Sequence, residues 1–227
     1  MKAIQIPGLG EISSCIKCGA CCRLSSPDLF HSDSHLIERG NIPIKYLFTM
    51  REGEPYKNPK TRKLDHLKSD IIKIKPRDEE IPSCLFHDEE TQECGIYQSR
   101  PSVCRAFKCW DKRQIDPVKT SPFLTRKDLL GETGMWDLIQ EHQKRCDYRK
   151  MKDYAEIILA EENQEMGREI VSMLSYDRSV RDTAIEKGKM DKDLMDFLFG
   201  RQMIVSLPLF KLKLETGSMG KQILTRL

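Results

Sequence analysis

Residues 94–109 read CGIYQSRPSVCRAFKC, and this stretch alone holds three of the nine cysteines in the chain. A fourth, Cys84, lies ten residues upstream, and a second group occurs near the N-terminus, where residues 15–22 read CIKCGACC. Two groups of four cysteines result: Cys15, Cys18, Cys21 and Cys22, followed by Cys84, Cys94, Cys104 and Cys109. This clustering predicts that the protein binds metal through thiolates.

The bulk composition limits the classes of function. The chain has 227 residues, of which 32% are charged and 39% hydrophobic, and its formal net charge is only +3. Because the charges are interspersed along the sequence, we expect no nucleic-acid partner. Pro208 interrupts the longest apolar candidate, residues 203–210, and no run approaches the ~20 residues that a membrane-spanning helix needs. We therefore expect no membrane segment.

The N-terminus indicates where the protein resides. Pro7, Gly8 and Gly10 interrupt the first residues, which lack the apolar core of a secretory signal peptide. We therefore expect a cytoplasmic protein. In a reducing compartment, clustered cysteines act as metal ligands or redox groups rather than as disulfides. The odd number of cysteines agrees with this interpretation.

The spacing within the first group bears on the identity of the metal. Cys15, Cys18 and Cys21 form a Cys-x-x-Cys-x-x-Cys run. Such a run can hold three corners of a 4Fe–4S cluster while a remote cysteine holds the fourth. Structural zinc more often takes two separate Cys-x-x-Cys pairs, although thiolates suit both metals. We favour iron, as an iron–sulfur cluster, and keep Zn²⁺ as the alternative.

Residues beside the cysteines supply further candidates. Cys22 is the candidate for a free thiol, because Cys21 already continues the run. A nearby Arg23 would lower the pKa of the Cys22 thiol and make it reactive. Arg100 and Arg105 flank a cysteine of the second group, where a guanidinium would offset the charge of metal-bound thiolates. A solvated arginine is an equally good interpretation of each.

The histidines are weaker candidates. His31 and His35 follow the first cysteine group, and His87 lies within the second. For each of them, a surface or capping histidine is a more common role than a metal ligand. Cys146 stands apart from both groups, in a segment with helical spacing. There we expect it to be a small buried hydrophobic side chain.

Turn signals and apolar spacing predict an α+β protein. Residues 84–86 and 94–97 flank a polar turn and predict a β-hairpin with a cysteine on each arm, and residues 44–50 predict a short helix. In the second half of the chain, apolar residues recur every three to four positions, which predicts helices. We predict a small, loop-rich cysteine-cluster metal domain over residues 1–115 and a mainly α-helical half over residues 116–227.

These motifs resemble the YkgJ-like cysteine-cluster family, which is described as a zinc- or iron-chelating domain. The family pattern begins Cys-x-x-Cys-x-x-Cys-Cys, as at residues 15–22, and continues with a cysteine before an apolar pair, as at residues 84–86. It ends Cys-x-Ile-Tyr-x-x-Arg-Pro-x-x-Cys-Arg-x-Phe, which matches residues 94–107. His87 stands where this pattern would have an apolar residue, and Cys109 lies in a variable part of it.

The resemblance implies metal chelation and says little about a reaction. A related group, the flagellin lysine N-methylases, couples a similar cysteine set to methyl transfer with an iron–sulfur cluster. The present sequence has no glycine-rich strand–turn–helix motif for a nucleotide or S-adenosylmethionine. Our first hypothesis is a metal-binding protein whose helical half packs on the cysteine domain or docks a protein partner. The alternatives are an iron–sulfur-dependent redox or methyl-transfer enzyme and an accessory subunit that relays metal or electrons.

Overall fold

The computed structural model describes residue 15 and residues 17–58, 61–77, 82–111, 113–161, 163–216 and 222–227. The helices are α1 (Ala20–Leu24), α2 (Ser34–Glu38), α3 (Ser102–Ala106), α4 (Ile115–Lys119), α5 (Arg126–Leu130), α6 (Gly134–Arg145), α7 (Tyr148–Ala160), α8 (Gln164–Glu186), α9 (Met195–Phe199) and α10 (Met203–Ser206). The strands are β1 (Leu47–Met50), β2 (Pro55–Lys57), β3 (Leu64–His66), β4 (Ile71–Ile74), β5 (Leu212–Thr216) and β6 (Gln222–Arg226). Of the helices described, none is long and apolar enough to cross a membrane.

The strands form three antiparallel pairs, β1 with β4, β2 with β3, and β5 with β6. In the first pair Leu47 lies opposite Ile74, and Thr49 lies opposite Ile72. These four side chains are fully buried while their strand neighbours are only partly covered, so one face of this sheet packs into the core. Short strand pairs in the N-terminal half and a mostly helical C-terminal half confirm the predicted α+β class.

Two local predictions need correction. The helix predicted over residues 44–50 ends after a 3₁₀ turn at Ile44–Tyr46, and β1 follows it. Pairing with a strand that lies more than twenty residues away overrides local helix propensity in this segment. The predicted cysteine hairpin is also shorter than expected, because its arms meet through one isolated bridge between His87 and Cys94. The polar turn itself is present, since the Asp88 N–H donates to the Glu93 carbonyl at 2.9 Å.

One hydrophobic cluster contains residues from both sides of position 115. Leu47, Ile72 and Ile74 of the β1–β4 pair pack in the same cluster as Ile139 of α6 and Phe197 of α9. The Thr49 hydroxyl donates to the Phe197 carbonyl at 2.7 Å, within this buried contact. The domain boundary near residue 115 stays a prediction, but the described residues on its two sides share a core.

The helical half adds a second cluster of buried residues. Tyr148 and Met151 of α7 pack in it with Ile170 of α8 and with Leu207 and Leu212 near the C-terminal strand pair. Cys146 is fully buried there, as predicted for a small hydrophobic side chain. The two clusters pack the helices of this half together, and the first of them also contains Cys84 of the cysteine-rich segment.

Candidate metal centre

The first cysteine segment reverses direction through residues with positive φ. Lys17 has φ of 55° and Gly19 has φ of 67°, immediately before α1. A left-handed backbone is tolerated best by glycine, so Gly19 is the residue type that this turn requires. The Lys17 N–H points at the Cys15 sulfur at 3.4 Å, a contact of the kind that orients thiolate ligands in metal sites.

A backbone hydrogen bond joins the two cysteine groups. The Cys84 N–H donates to the Cys22 carbonyl at 2.8 Å. Cys84 is only 7% exposed and packs with the main hydrophobic cluster. A backbone bridge between His87 and Cys94 then brings the other arm of the polar turn to the same place. The N-terminal group is thereby fixed beside the second group, although some sixty residues separate them in sequence.

Asp33 positions the helix that carries Cys104. Its carboxylate accepts from the Ser102 N–H at 2.8 Å, from the Ser102 hydroxyl at 2.9 Å and from the Phe30 N–H at 3.0 Å. Asp33 is fully buried, and an anion near free N–H groups at a helix N-terminus is well placed electrostatically. No local pattern in the sequence identifies this role of Asp33, because Ser102 lies 69 residues away along the chain.

Six cysteines line one cavity of about 340 Å³. They come from three separate segments of the chain: Cys15, Cys21, Cys22, Cys84, Cys94 and Cys104. Apolar side chains such as Ile74, Val103 and Ile115 line the cavity with them. Cys18 and Cys109 do not line it, and both are exposed. The structure therefore unites members of both groups in one place and leaves two of the eight candidates outside it.

The cavity thiols are spread widely. Cys21 and Cys22 have their sulfur atoms 3.9 Å apart. In the described part of the chain, however, no three cavity thiols have their sulfur atoms all within 4.8 Å of one another, since the one group that meets this criterion lies elsewhere. The described cavity thiols are therefore further apart than the ligands of a single tetrahedral ion.

The adjacent thiols Cys21 and Cys22 differ in acidity. A hydrogen bond from Cys22 lowers the pKa of the Cys21 thiol to about 6. The same bond, with burial, raises the pKa of Cys22 above its ordinary value. The predicted lowering of the Cys22 pKa by Arg23 is therefore wrong, and the Arg23 guanidinium donates to Gln92 instead. Cys21 is therefore the more acidic thiol of this pair.

Burial governs the remaining thiols. It raises the pKa of Cys84 to about 11, and it raises the pKa values of Cys94 and Cys104. In the absence of a bound metal these thiols keep their protons at neutral pH. Because a metal binds the thiolate form, metal binding at this cavity would release protons.

Arg100 supplies positive charge to the cavity. Its guanidinium carbon lies 3.5 Å from the centre of the Tyr97 ring, and its Nε donates to the Tyr97 carbonyl at 2.7 Å. The charge of Arg100 lowers the pKa values of Cys94 and Cys104 against the larger effect of burial. Arg105 is exposed and does not line the cavity. Of the two arginines considered from sequence, Arg100 is the one placed at the thiols.

The three candidate histidines have different surroundings. His31 is exposed, and the Nδ1 of His35 lies 2.8 Å from the Ser32 carbonyl, as in a local cap. His87 is 1% exposed, and neither of its ring nitrogens has a hydrogen-bond partner. Its ring packs against Gly19, where an added Cβ would overlap the His87 Nε2 atom.

A separate buried group lies in the helical half. His142, Cys146 and Asp177 place their possible ligand atoms within 4.8 Å of one another. The Asp177 carboxylate already accepts from the His142 ring at 2.8 Å and from the Arg181 guanidinium at 3.0 Å. Arg51 lies on the other side of the ring, with its Nη1 3.4 Å from the His142 Nδ1.

Two guanidinium groups beside this trio disfavour a further cation. Burial lowers the pKa of His142 to about 4, so the ring is neutral at physiological pH. Asp177 also accepts from the Met203 N–H at 2.9 Å. The group therefore joins α6, α8 and α10 as a hydrogen-bonded network, and neither His142 nor Cys146 lines the cysteine cavity.

Comparison with known families agrees with this geometry. A family model described as a zinc- or iron-chelating domain, CxxCxxCC, matches residues 14–122. That segment holds both cysteine groups, whereas Cys146 lies outside it. No curated protein and no solved structure matches the chain. Residues 14–122 of this chain, somewhat less than half of it, are therefore similar to the CxxCxxCC family of zinc- or iron-chelating domains.

Proposed function

We propose that the cysteine cavity binds iron as an iron–sulfur cluster, with Zn²⁺ as the alternative. The observation that carries the proposal is the set of six cysteines that line one cavity. Four thiolates at the usual Zn–S distance of about 2.3 Å would stand about 3.8 Å from one another. No three described cavity thiols approach to within 4.8 Å, and a multinuclear cluster accommodates such a spread better than one ion does.

The residues of the cavity suit a sulfur-ligated centre. Cys15, Cys21, Cys84, Cys94 and Cys104 come from three segments whose mutual positions are fixed by backbone hydrogen bonds and by Asp33. The guanidinium of Arg100 offsets part of the negative charge that bound thiolates carry. Apolar side chains along the wall reduce access of water. A bound cluster would supply one-electron redox chemistry.

Metal analysis of the native protein tests the proposal. The chain is purified without oxygen, and its iron, acid-labile sulfide and zinc contents are measured beside its absorption spectrum. We expect a brown protein that contains iron and sulfide. A colourless protein with zinc in place of both would support the alternative, and a protein that takes up neither metal would refute chelation at this cavity.

Matched cysteine variants locate the site. Cys104→Ser removes a cavity thiol, whereas Cys146→Ser changes a buried cysteine outside the cavity. We expect the first variant to lose metal and the second to retain it. Equal metal content in the two variants, measured per folded protein, would contradict the assignment of Cys104 to the site.

The number of cavity thiols favours a second candidate function, a site that performs chemistry. A 4Fe–4S cluster takes four cysteines, and the cavity is lined by six. Thiols left over beside a cluster would be free to react or to accept a partner's metal, as an enzyme or an accessory subunit requires. Alkylation of the metal-loaded protein without oxygen, followed by peptide mapping, tests this. Selective labelling of one or two cavity cysteines supports it, and uniform protection contradicts it.

A further inference from the structure

His87 is a buried imidazole with no hydrogen-bond partner, and it lies inside the metal-chelating segment. It is 1% exposed, and both ring nitrogens are unpartnered and out of contact with solvent. Buried polar groups are nearly always satisfied in folded proteins, and the exceptions call for an explanation such as a bound ion. Both ring nitrogens of His87 are therefore available to bind a ligand.

The backbone of His87 is firmly fixed between two cavity cysteines. Its N–H donates to the Cys84 carbonyl at 2.9 Å, and it forms an isolated β-bridge with Cys94. The Arg77 guanidinium donates to the His87 carbonyl. The position of the imidazole is thus set by the same turn that positions two thiols.

The His87 ring contacts the first cysteine group at Gly19. Gly19 lines the cavity, and a Cβ added to it would overlap the Nε2 atom of His87. His87 itself is not a lining residue; its Nε2 atom lies against Gly19 at the cavity wall, in the place of a missing side chain, one residue after Cys18 and two residues before Cys21. Glycine serves here both for its left-handed turn and for the close approach of the ring.

We propose that His87 supplies a nitrogen ligand, through Nε2, to the metal centre of the cysteine segment. The centre then has a mixed cysteine and histidine ligand set in place of cysteines alone. Imidazole is a good ligand for iron and for zinc, and replacing one thiolate by a neutral nitrogen makes the centre less negative, which raises the potential of histidine-ligated clusters. The inference rests on the proposed metal-chelating function but not on which of the two metals is bound.

Nitrogen hyperfine spectroscopy of the iron-loaded, reduced protein tests the proposal. We expect a strong nitrogen coupling that changes when the protein is grown with ¹⁵N-labelled histidine. His87→Leu should abolish this coupling and weaken metal binding by about 10–100-fold or more, the range seen when groups that support a metal site are removed. If zinc is the metal found, X-ray absorption provides the same readout through the imidazole scattering pattern.

Two further variants keep the test decisive. His35→Leu is the matched control, since the His35 ring already has a backbone partner and does not contact Gly19, and it should retain the nitrogen signal. In Gly19→Ala the added Cβ would overlap the His87 Nε2 atom and displace the ring. This variant should also lose the nitrogen coupling, and it provides a test even if His87→Leu folds poorly. A metal-loaded wild-type protein without a nitrogen coupling would overturn the role of His87 and leave chelation by cysteine intact. The same conclusion would follow if the nitrogen coupling persisted in both the His87→Leu and the Gly19→Ala variants. A protein that binds no metal would refute both proposals.

Discussion

The buried ring of His142 should make the stability of the protein depend on pH. Burial lowers its pKa from 6.5 to about 4 in the folded state. Below pH 6.5 the unfolded chain binds a proton that the folded ring does not accept until the pH approaches 4. The contribution of His142 to the unfolding free energy is therefore complete above pH 6.5, and it is lost as the pH falls from 6.5 toward 4.

The expected loss is large for a single group. A shift from 6.5 to about 4 corresponds to a loss of about 2.5 kcal/mol of unfolding free energy by pH 4.5. Whole domains are typically stable by only ~5–15 kcal/mol. The loss should therefore be visible as a clear shift of the unfolding midpoint.

Denaturant unfolding at a series of pH values between 8 and 4.5 measures the effect. The wild-type protein is compared with His142→Asn, both loaded with metal in the same way, so that contributions common to the two proteins cancel. We expect the variant to be less stable at pH 8 and to lose about 2.5 kcal/mol less than the wild type on acidification. Parallel pH profiles for the two proteins would refute a neutral buried His142.

Three other perturbations follow from the contacts described above. Thr49→Val removes the hydroxyl that donates to the Phe197 carbonyl at 2.7 Å, and it should cost about 1–3 kcal/mol in chemical denaturation because that buried carbonyl loses a partner. Asp33→Ala removes the acceptor of three donors, one of them fully buried, so it should lower the melting temperature and weaken metal retention in a competition with a chelator, while Asp182→Ala on the exposed face of α8 should do neither. A fragment of residues 1–115 exposes the core faces of Ile72 and Ile74, and it should aggregate or bind a hydrophobic dye; a monomeric, cooperatively folded fragment would show that the shared core is dispensable.

The sequence predicted what depends on local spacing. The α+β class and the helices of the C-terminal half follow from turn signals and periodicity, the burial of Cys146 follows from its residue type, and the similarity to zinc- or iron-chelating domains follows from the cysteine pattern. The position of Cys18 outside the cavity could not be foreseen, because spacing alone does not fix the direction of a thiol. The same limit applies to Arg100 and Arg105, which differ in placement although both flank Cys104.

Long-range contacts account for the features that the sequence did not predict. Asp33 contacts Ser102 across 69 residues, and no local pattern identifies such a partner. Leu47–Met50 forms a strand and not part of a helix, because β4 pairs with it. His87 was only a weaker candidate from the sequence, and its burial without a hydrogen-bond partner is apparent only in the structure.

The contact between Thr49 and Phe197 has a consequence for biosynthesis. The two residues are 148 positions apart, which corresponds to about 7–30 s of translation at ~5–20 residues per second. Both cysteine groups leave the ribosome before Phe197 is made, so for several seconds their thiols belong to a chain that lacks part of its core. We therefore expect the core that includes Cys84 to be complete only after α9 has been made. Until then the nascent cysteines depend on the reducing power of their surroundings.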